Sequence, residues 1–320
     1  MPLVTLREIL STAETGGYAV GAFNVSDFNQ AYAVMEAADH SRSPVIVQAI
    51  AGMSAYADDG WWWDRLRELV TSYPRVDVTL HLDHGRTIAD CAAAIDHGFS
   101  SVMIDGSRNT DTDLPADYEA NIKVTAAVSA IARSAGVSVE GELGTIGGDE
   151  AGGAAHPEDL VLADPVQAKD FVDRTGVDAL AVAVGTSHGS VKFTDSAGAE
   201  ALRINLIAQI KRKLPNTFLV LHGSSSILAD AVVTINAYGG SVRPSTGIST
   251  EEKVQAINHG IRKVNQGTDS HLAWTAAVRK FSADHPAAVE PSACQAAGIE
   301  AISDIVGRRM LEFGSAGRLS

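Results

Sequence analysis

The chain repeats one pattern eight times: a short apolar run with the composition of a buried strand, then an amphipathic stretch of helical period. The runs are rich in Val, Ile and Ala and are continuously apolar, as parallel strands covered on both faces are. They span residues 18–24, 44–49, 76–83, 101–106, 137–143, 178–185, 218–222 and 261–267. Eight alternating strand and helix units favour one closed parallel sheet, so we predict an α/β fold, the (β/α)8 TIM barrel.

The helical stretches complete the predicted barrel and extend beyond it. They cover residues 29–40, 61–72, 87–97, 116–135, 165–174, 200–213, 229–238 and 250–259, with two more at 270–281 and 291–313 after the last strand. A doubly wound sheet is the alternative, but no Gly-x-Gly-x-x-Gly follows the first strand, which counts against its dinucleotide-binding version. We expect residues 1–320 to form a single domain with extra C-terminal helices.

Charge and cysteine content narrow the class of protein. The formal charge is −14, from 39 acidic and 25 basic residues, which argues against nucleic acid or an anionic membrane as a partner. The two isolated cysteines, Cys91 and Cys294, do not make a disulfide framework. No apolar run reaches the roughly 18 residues of a membrane span, and the N-terminus lacks the pattern of a signal peptide. We therefore expect a soluble, cytoplasmic protein.

Polar side chains gather at the carboxyl ends of the predicted strands, where barrel enzymes carry their active sites. They are Asn24, Gln48, Asp83, His84, Asp105, Glu140, Glu142, His188, His222 and Asn265. One such residue is commonly a helix cap or a hydrogen-bonded structural group. So many at the same end of the barrel favour a functional site.

Three of the predicted strands end in a His-Gly pair. The pairs are His84-Gly85, His188-Gly189 and His222-Gly223. Three histidines with an open position are a common Zn²⁺ site, and imidazole also binds Co²⁺ or Fe²⁺. The sequence therefore predicts a metal centre at this end of the barrel.

Asp83 is the candidate acid/base beside that metal. Neighbouring strand residues point to opposite faces, so Asp83 and His84 share the site only if the strand turns at His84, a turn that Gly85 makes easy. His81 has the parity of Asp83, and it either orients a metal ligand or fills the barrel interior. Asp105 and Glu142 are candidates for partners of the histidines or for an alternative metal position.

Two further regions carry candidate groups. The Gly-rich stretch 144–157 is typical of a mobile lid, and Glu150 on it could act as a general base or could simply be solvated. Ser225, Gly267 and Thr268 follow the seventh and eighth strands, where barrels commonly bind phosphate. Lys192 could add positive charge there, or it is a surface lysine.

Together these motifs resemble the class II, metal-dependent fructose-bisphosphate aldolases over nearly the whole chain. The most specific are His81-Leu-Asp-His-Gly85, Ser101-Val-Met-Ile-Asp-Gly-Ser107, Val139-Glu-Gly-Glu-Leu-Gly144, Leu180-Ala-Val-Ala-Val-Gly-Thr-Ser-His-Gly189 and Leu221-His-Gly-Ser-Ser-Ser226. The resemblance implies an aldolase that reversibly cleaves a ketose bisphosphate, by default fructose 1,6-bisphosphate, into dihydroxyacetone phosphate and glyceraldehyde 3-phosphate. It also implies a homodimer or homotetramer that acts in carbohydrate metabolism, such as glycolysis.

The resemblance also implies roles for individual residues. It makes His84, His188 and His222 the ligands of one Zn²⁺, with Asp105 and Glu142 near an alternative or second position. It makes Asp83 the acid/base at the bond being broken and Glu150 the loop acid that moves the proton on the dihydroxyacetone phosphate carbon, with Asn24 and Asn265 in the active site. It places Gly189 and Gly223 at the phosphate and at a monovalent cation such as Na⁺ or K⁺, and Ser225 and Thr268 at the phosphate.

Three departures from the family pattern concern the substrate. Ile50 stands where the family usually has Ser, and Gly267 stands in place of an acid in Asn265-Gln-Gly-Thr-Asp269. The family's Asp-Pro-Arg, whose arginine binds the distal phosphate, corresponds to Ala283-Asp-His-Pro-Ala-Ala288, which has no arginine. Arg308 and Arg309 are the candidates to replace it. Tagatose 1,6-bisphosphate and a ketose 1-phosphate without the distal phosphate are therefore alternative substrates.

Other classes of function fit less well. A Schiff-base aldolase needs a lysine at an inward strand end, and Lys263 falls at the start of its strand. A metal-dependent barrel hydrolase would usually show His-x-His on the first strand, and residues 21–24 contain no histidine. A non-catalytic sugar-phosphate-binding barrel remains the alternative from another class.

Overall fold

A computed structural model describes residues 3–109, 114–146, 161–186, 202–243 and 247–319. Within them, eight parallel strands pair in chain order, and the eighth pairs with the first to close the barrel. The strands are β1 (Val20–Asn24), β2 (Val45–Ala49), β3 (Val78–Gly85), β4 (Ser101–Ile104), β5 (Ser138–Leu143), β6 (Ala179–Val182), β7 (Phe218–Leu221) and β8 (Ile261–Gln266). The predicted (β/α)8 barrel is confirmed, and each strand begins within a few residues of its predicted start.

Helices cover the outside of the barrel. Those described are α1 (Leu6–Gly16), α2 (Phe28–Ser41), α3 (Asp59–Thr71), α4 (Ile88–Asp96), α5 (Tyr118–Ala135), α6 (Pro165–Thr175), α7 (Ile204–Lys213), α8 (Ala229–Ala237), α9 (Thr250–Asn258), α10 (Thr268–Asp284) and α11 (Pro291–Glu312). The extra C-terminal helices are present as predicted. None of the helices in the described ranges is long and apolar enough to cross a membrane.

Helix α1 is not among the helices that the sequence analysis predicts. Its ends carry clear signals: Thr5 and Glu8 form a capping box, and Gly17 ends the helix with a left-handed φ of 67°. Its apolar face packs under the strands, in one cluster with Val20, Ala22, Ile46, Met103, Ala179 and Val220. The helix thus closes the N-terminal end of the barrel. The polar side chains predicted at the strand ends lie in the interior nearer the other end.

The C-terminal helix α11 packs against both α10 and α2. Ser303 Oγ donates to the Ala33 carbonyl oxygen at 2.9 Å, and the Leu319 amide donates to the Arg42 carbonyl oxygen at 3.0 Å. These bonds tie the end of the chain to a helix near its beginning. On these contacts we propose that the chain forms a single domain.

Two glycines of α11 give a matched test of this packing. An added Cβ at Gly298 would overlap the indole ring of Trp274 on α10, whereas one at Gly307 would meet nothing nearer than Ser41 Oγ at 3.5 Å. We expect Gly298→Ala to lower the free energy of unfolding by about 1–3 kcal/mol, because the helices must move apart. Gly307→Ala should raise it by up to about 1 kcal/mol through helix propensity. Urea unfolding of both variants measures the difference, and equal values would contradict the described α10–α11 contact.

Candidate active site and metal centre

The polar groups predicted at the strand ends converge at the C-terminal end of the barrel. The structure brings together Asn24, Gln48, Asp83, His84, Asp105, Glu140, Glu142, His222 and Asn265. Four residues singled out in the sequence, His188, Gly189, Lys192 and Glu150, lie outside the described residues. The described groups form one connected hydrogen-bond network.

Strand β3 turns at His84, as the shared site of Asp83 and His84 requires. The turn is made by His84 itself, which has a φ of 47°, and the pairing with β4 shifts between Leu82 and Gly85. A left-handed residue other than glycine costs on the order of 1 kcal/mol or more, a strain that occurs at functional sites. The sequence predicts that Gly85 eases the turn. That residue is needed for close packing instead, since its Cβ would lie 2.7 Å from the Met103 carbonyl oxygen.

The imidazole rings of His84 and His222 face each other. His84 Nε2 lies 3.0 Å from His222 Nδ1, and the ring centroids are 4.8 Å apart. The remaining nitrogens bind carboxylates: His84 Nδ1 donates to Asp105 Oδ2 at 3.1 Å, and His222 Nε2 donates to Glu140 Oε1 at 2.8 Å. Because a carboxylate accepts and does not donate, these bonds place each proton on the outer nitrogen. When both rings are neutral, their inner nitrogens therefore both act as acceptors across this gap, which favours a proton or a metal ion between them.

This arrangement fits a divalent metal ion. Two imidazole nitrogens bound to one tetrahedral Zn²⁺ at about 2.0–2.1 Å each lie roughly 3.3 Å apart, and the observed separation of 3.0 Å is within a few tenths of an ångström of that distance. Burial disfavours a charged His84 ring, but the carboxylates of Asp83 and Asp105 outweigh it and raise the His84 pKa well above its usual value. The space between the rings thus favours positive charge.

Acidic groups beside the histidines offer further ligand atoms. Glu142 Oε2 is buried without a hydrogen-bond partner among the described residues, and it lies 3.8 Å from His222 Nδ1. Burial and the nearby Asp105 carboxylate raise the pKa of Glu142 well above its usual value. Burial also opposes ionisation of Asp105, yet hydrogen bonds from His84 and Ser107 lower its pKa. The ligand atoms of His84, Asp105 and Glu142 come close enough for one ion, as do those of Asp83, His84 and His222.

Asp83 is held by three side-chain amides. Asn24 Nδ2 and Gln48 Nε2 donate to its Oδ2 at 2.8 and 3.1 Å, and Asn265 Nδ2 donates to its Oδ1 at 3.2 Å. The same Asn265 nitrogen lies 3.2 Å from His222 Nε2. The carboxylate is completely buried and fixed in orientation next to the facing histidines. Gln48 is predicted only as a polar strand end, and its position near the end of β2 is the signal in the sequence for its role.

Glu140, predicted only as a polar strand end, accepts the hydrogen bond from His222 Nε2. Glu140 Oε2 lies 2.9 Å from Lys263 Nζ and 3.6 Å from His81 Nε2, and all three side chains are completely buried. Burial and the adjacent Lys263 charge hold the pKa of His81 well below its usual value. The alternation Glu140-Gly-Glu142 was the available signal, since residues two apart on a strand share a face.

The predicted phosphate subsite lies where β7 and β8 end. Ser225 Oγ accepts from the Gly267 amide at 3.2 Å, and Thr268 is the first residue of α10. The start of α10 is fixed by Asp269, which accepts from Arg309 Nε at 2.7 Å. The Arg309 guanidinium is also paired with Glu312 and is buried, so its donors are already used in contacts within the fold.

Comparisons with known proteins agree with this geometry. Residues 4–318 match the model of the family described as fructose-bisphosphate aldolase class-II. The chain is 43% identical over 330 residues to a fructose-bisphosphate aldolase of Pseudomonas aeruginosa, covering 100% of this chain and 93% of that protein. It is 42% identical to a Cupriavidus necator protein named fructose-bisphosphate aldolase, plasmid, covering 100% of this chain and 96% of that protein.

A solved aldolase structure has the same fold as this chain. The YdjI aldolase from Escherichia coli K12 matches with a TM-score of 0.77 and 27% identity, over 99% of this chain and 100% of that chain. A family match over nearly the whole length, close full-length relatives and a shared barrel therefore lead to one conclusion. The chain belongs to the class II fructose-bisphosphate aldolase family, whose members are aldehyde-lyases.

Proposed function

We propose that this aldolase is metal-dependent and reversibly cleaves fructose 1,6-bisphosphate into dihydroxyacetone phosphate and glyceraldehyde 3-phosphate. The observation that carries the proposal is the pair of imidazole nitrogens 3.0 Å apart beside the amide-held carboxylate of Asp83. It supplies a place for a cation next to an oriented proton acceptor. The family and the names of the relatives support fructose 1,6-bisphosphate as the substrate.

His84 and His222 would hold one Zn²⁺, with His188 from outside the described residues as the third ligand. Asp105 and Glu142 offer an alternative or second position beside them. When bound, the ion supplies a Lewis acid that polarises the ketone and stabilises the negative charge that develops on its oxygen. The carboxylates behind the two histidines hold the rings in the tautomers that binding needs.

Asp83 would move the proton at the bond that breaks. In the cleavage direction its carboxylate accepts the proton of the C4 hydroxyl while the C3–C4 electron pair stays on the dihydroxyacetone phosphate fragment. The C4 oxygen becomes the aldehyde oxygen, and C3 then takes a proton, for which we propose Glu150. Asn24, Gln48 and Asn265 keep the Asp83 carboxylate aimed at the hydroxyl.

The phosphate of the dihydroxyacetone half would bind where β7 and β8 end. We assign it to Ser225, Thr268 and the backbone at Gly189, Gly223 and Gly267, with Lys192 and a monovalent cation such as Na⁺ or K⁺ adding positive charge. The start of α10 favours an anion, because the first amides of a helix lack partners within the helix. A side chain at position 267 would lie against Asn24, so glycine leaves room beside that active-site residue.

The binding of the distal phosphate sets the choice among ketoses. Arg309 is occupied by Asp269 and Glu312 and is therefore a poor substitute for the family's distal arginine. Arg308 is exposed and remains a candidate. Tagatose 1,6-bisphosphate and a ketose 1-phosphate stay the alternative substrates.

The other reaction classes find less support in the site. Lys263 Nζ is buried and paired with Glu140, so it is a poor Schiff-base lysine. A sugar-phosphate binder without activity would not need a buried carboxylate held by three amides. We further propose a homodimer or homotetramer that acts in the cytoplasm, in carbohydrate metabolism such as glycolysis.

A retro-aldol assay tests the proposal. Fructose 1,6-bisphosphate, tagatose 1,6-bisphosphate and ketose 1-monophosphates are compared by kcat/KM, and we expect the highest value for fructose 1,6-bisphosphate. Chelation should abolish its cleavage, and added Zn²⁺ or Co²⁺ should restore it. Undiminished activity in metal-free protein would refute the mechanism, and a preference for a monophosphate would refute the substrate.

A further inference from the structure

The barrel interior holds a charged group that the proposed reaction does not use. Lys263 on β8 is completely buried, and its Nζ lies 2.9 Å from Glu140 Oε2 on β5. A buried ammonium is expensive unless it is paired, so its place in the barrel needs a reason. Its partner Glu140 is the residue that accepts the hydrogen bond from His222 Nε2.

The two oxygens of Glu140 face different partners. Oε1 lies 2.8 Å from His222 Nε2, and Oε2 lies 2.9 Å from Lys263 Nζ. His81 lies on the Oε2 side, with its Nε2 3.6 Å from Oε2 and 3.5 Å from Lys263 Nζ. The carboxylate is thus fixed from both ends, which sets the direction in which His222 points.

His81 is a neutral neighbour in this arrangement. Its Nδ1 lies 2.8 Å from Ser101 Oγ and can donate there, which leaves Nε2 to face the Lys263 ammonium. The charge that compensates Glu140 among the described residues therefore comes from Lys263.

We propose that Lys263 is a positioning residue for the metal ligand His222: its ion pair holds Glu140 in the orientation that keeps His222 Nδ1 aimed at His84. The inference rests on the metal site proposed above. Removing the ammonium would leave Glu140 Oε2 buried without its cation, so the carboxylate would no longer be held at both ends and its bond to His222 Nε2 would lose its fixed direction. Loss of such an outer partner typically lowers metal affinity by about 10–100-fold.

Lys263→Met is the first variant, since methionine is apolar and similar in length. We expect its Kd for Zn²⁺, measured by competition with a chromophoric chelator, to rise about 10–100-fold. The visible absorption spectrum of the Co²⁺ form should change with the ligand geometry. Lys253→Met is the matched control, because Lys253 is also completely buried and its Nζ donates to Ser226 Oγ at 2.7 Å. It should keep the wild-type affinity and spectrum.

The double variant Lys263→Met/Glu140→Gln separates positioning from packing. Its amide can still accept from His222 Nε2, and no charge remains uncompensated. We expect it to bind Zn²⁺ more tightly than Lys263→Met. It should also bind Zn²⁺ at least as tightly as Glu140→Gln, which leaves the Lys263 ammonium unpaired near the metal. If Lys263→Met does not fold, the comparison of the double variant with Glu140→Gln tests whether Lys263 acts through Glu140.

The inference is overturned if Lys263→Met folds and keeps both the wild-type Zn²⁺ affinity and the Co²⁺ spectrum. It is also overturned if the double variant binds Zn²⁺ more weakly than Glu140→Gln, since Lys263 would then act independently of Glu140. Failure of the wild-type protein to bind Zn²⁺ or Co²⁺ would instead refute the metal site itself. The wild-type titration therefore distinguishes the two failures.

Discussion

Replacing Asp83 with asparagine is expected to lower kcat for cleavage by about 10²–10⁴-fold, the usual contribution of a positioned acid/base. The substitution keeps the shape of the side chain but removes its capacity to take the proton of the C4 hydroxyl. The three amides that hold Asp83 remain, and so do His84 and His222. We therefore expect a folded protein that still binds metal.

A partial reaction separates this role from a general loss of the site. Exchange of a dihydroxyacetone phosphate carbon proton with solvent requires the metal and the base acting on that carbon, but it does not require the aldehyde. Asp83→Asn should therefore retain this exchange while cleavage and condensation are lost. Equal losses in exchange and cleavage would mean that Asp83 organises the site and does not carry the proton.

The fold could be predicted from the sequence because the apolar strand-like runs, the helical period between them and the count of eight units all indicate the same barrel. Eight buried apolar runs separated by helical patterns admit few topologies, and the observed strands start close to their predicted positions. Helix α1 was missed although Thr5, Glu8 and Gly17 mark both of its ends. The reason is that it precedes the first strand and lies outside the repeating unit on which the prediction was built.

The sequence predicts which residues form the candidate site better than it predicts how their backbones and side chains are arranged. The ends of parallel strands meet at one rim, so the grouping of Asp83, His84 and His222 followed from their positions. The left-handed backbone of His84, with a φ of 47°, did not, because a positive φ is uncommon for any residue other than glycine. The link from Glu140 to Lys263 joins β5 to β8, and such cross-barrel contacts depend on side-chain reach that the sequence does not encode locally.

His222→Ala should weaken Zn²⁺ binding more than the loss of an outer partner such as Lys263 does. Removing a ligand costs more than the roughly 10–100-fold that follows from losing an outer partner, so we expect the Kd for Zn²⁺ to rise more than about 100-fold. Cleavage measured without added metal should fall by at least about 10³-fold, since stabilisation of the developing oxyanion is lost. Metal content after gel filtration and kcat/KM measure the two effects.

His81→Gln is the matched comparison, because both histidines are completely buried in the barrel interior. His81 lies beside Lys263 and Ser101, whereas a nitrogen of His222 faces His84 at 3.0 Å. We expect His81→Gln to change Zn²⁺ affinity by no more than about tenfold, since it removes neither a proposed ligand nor the Glu140–Lys263 pair. Similar losses in the two variants would place His81 among the metal ligands. The facing nitrogens of His84 and His222 would then no longer be sufficient to locate the ion.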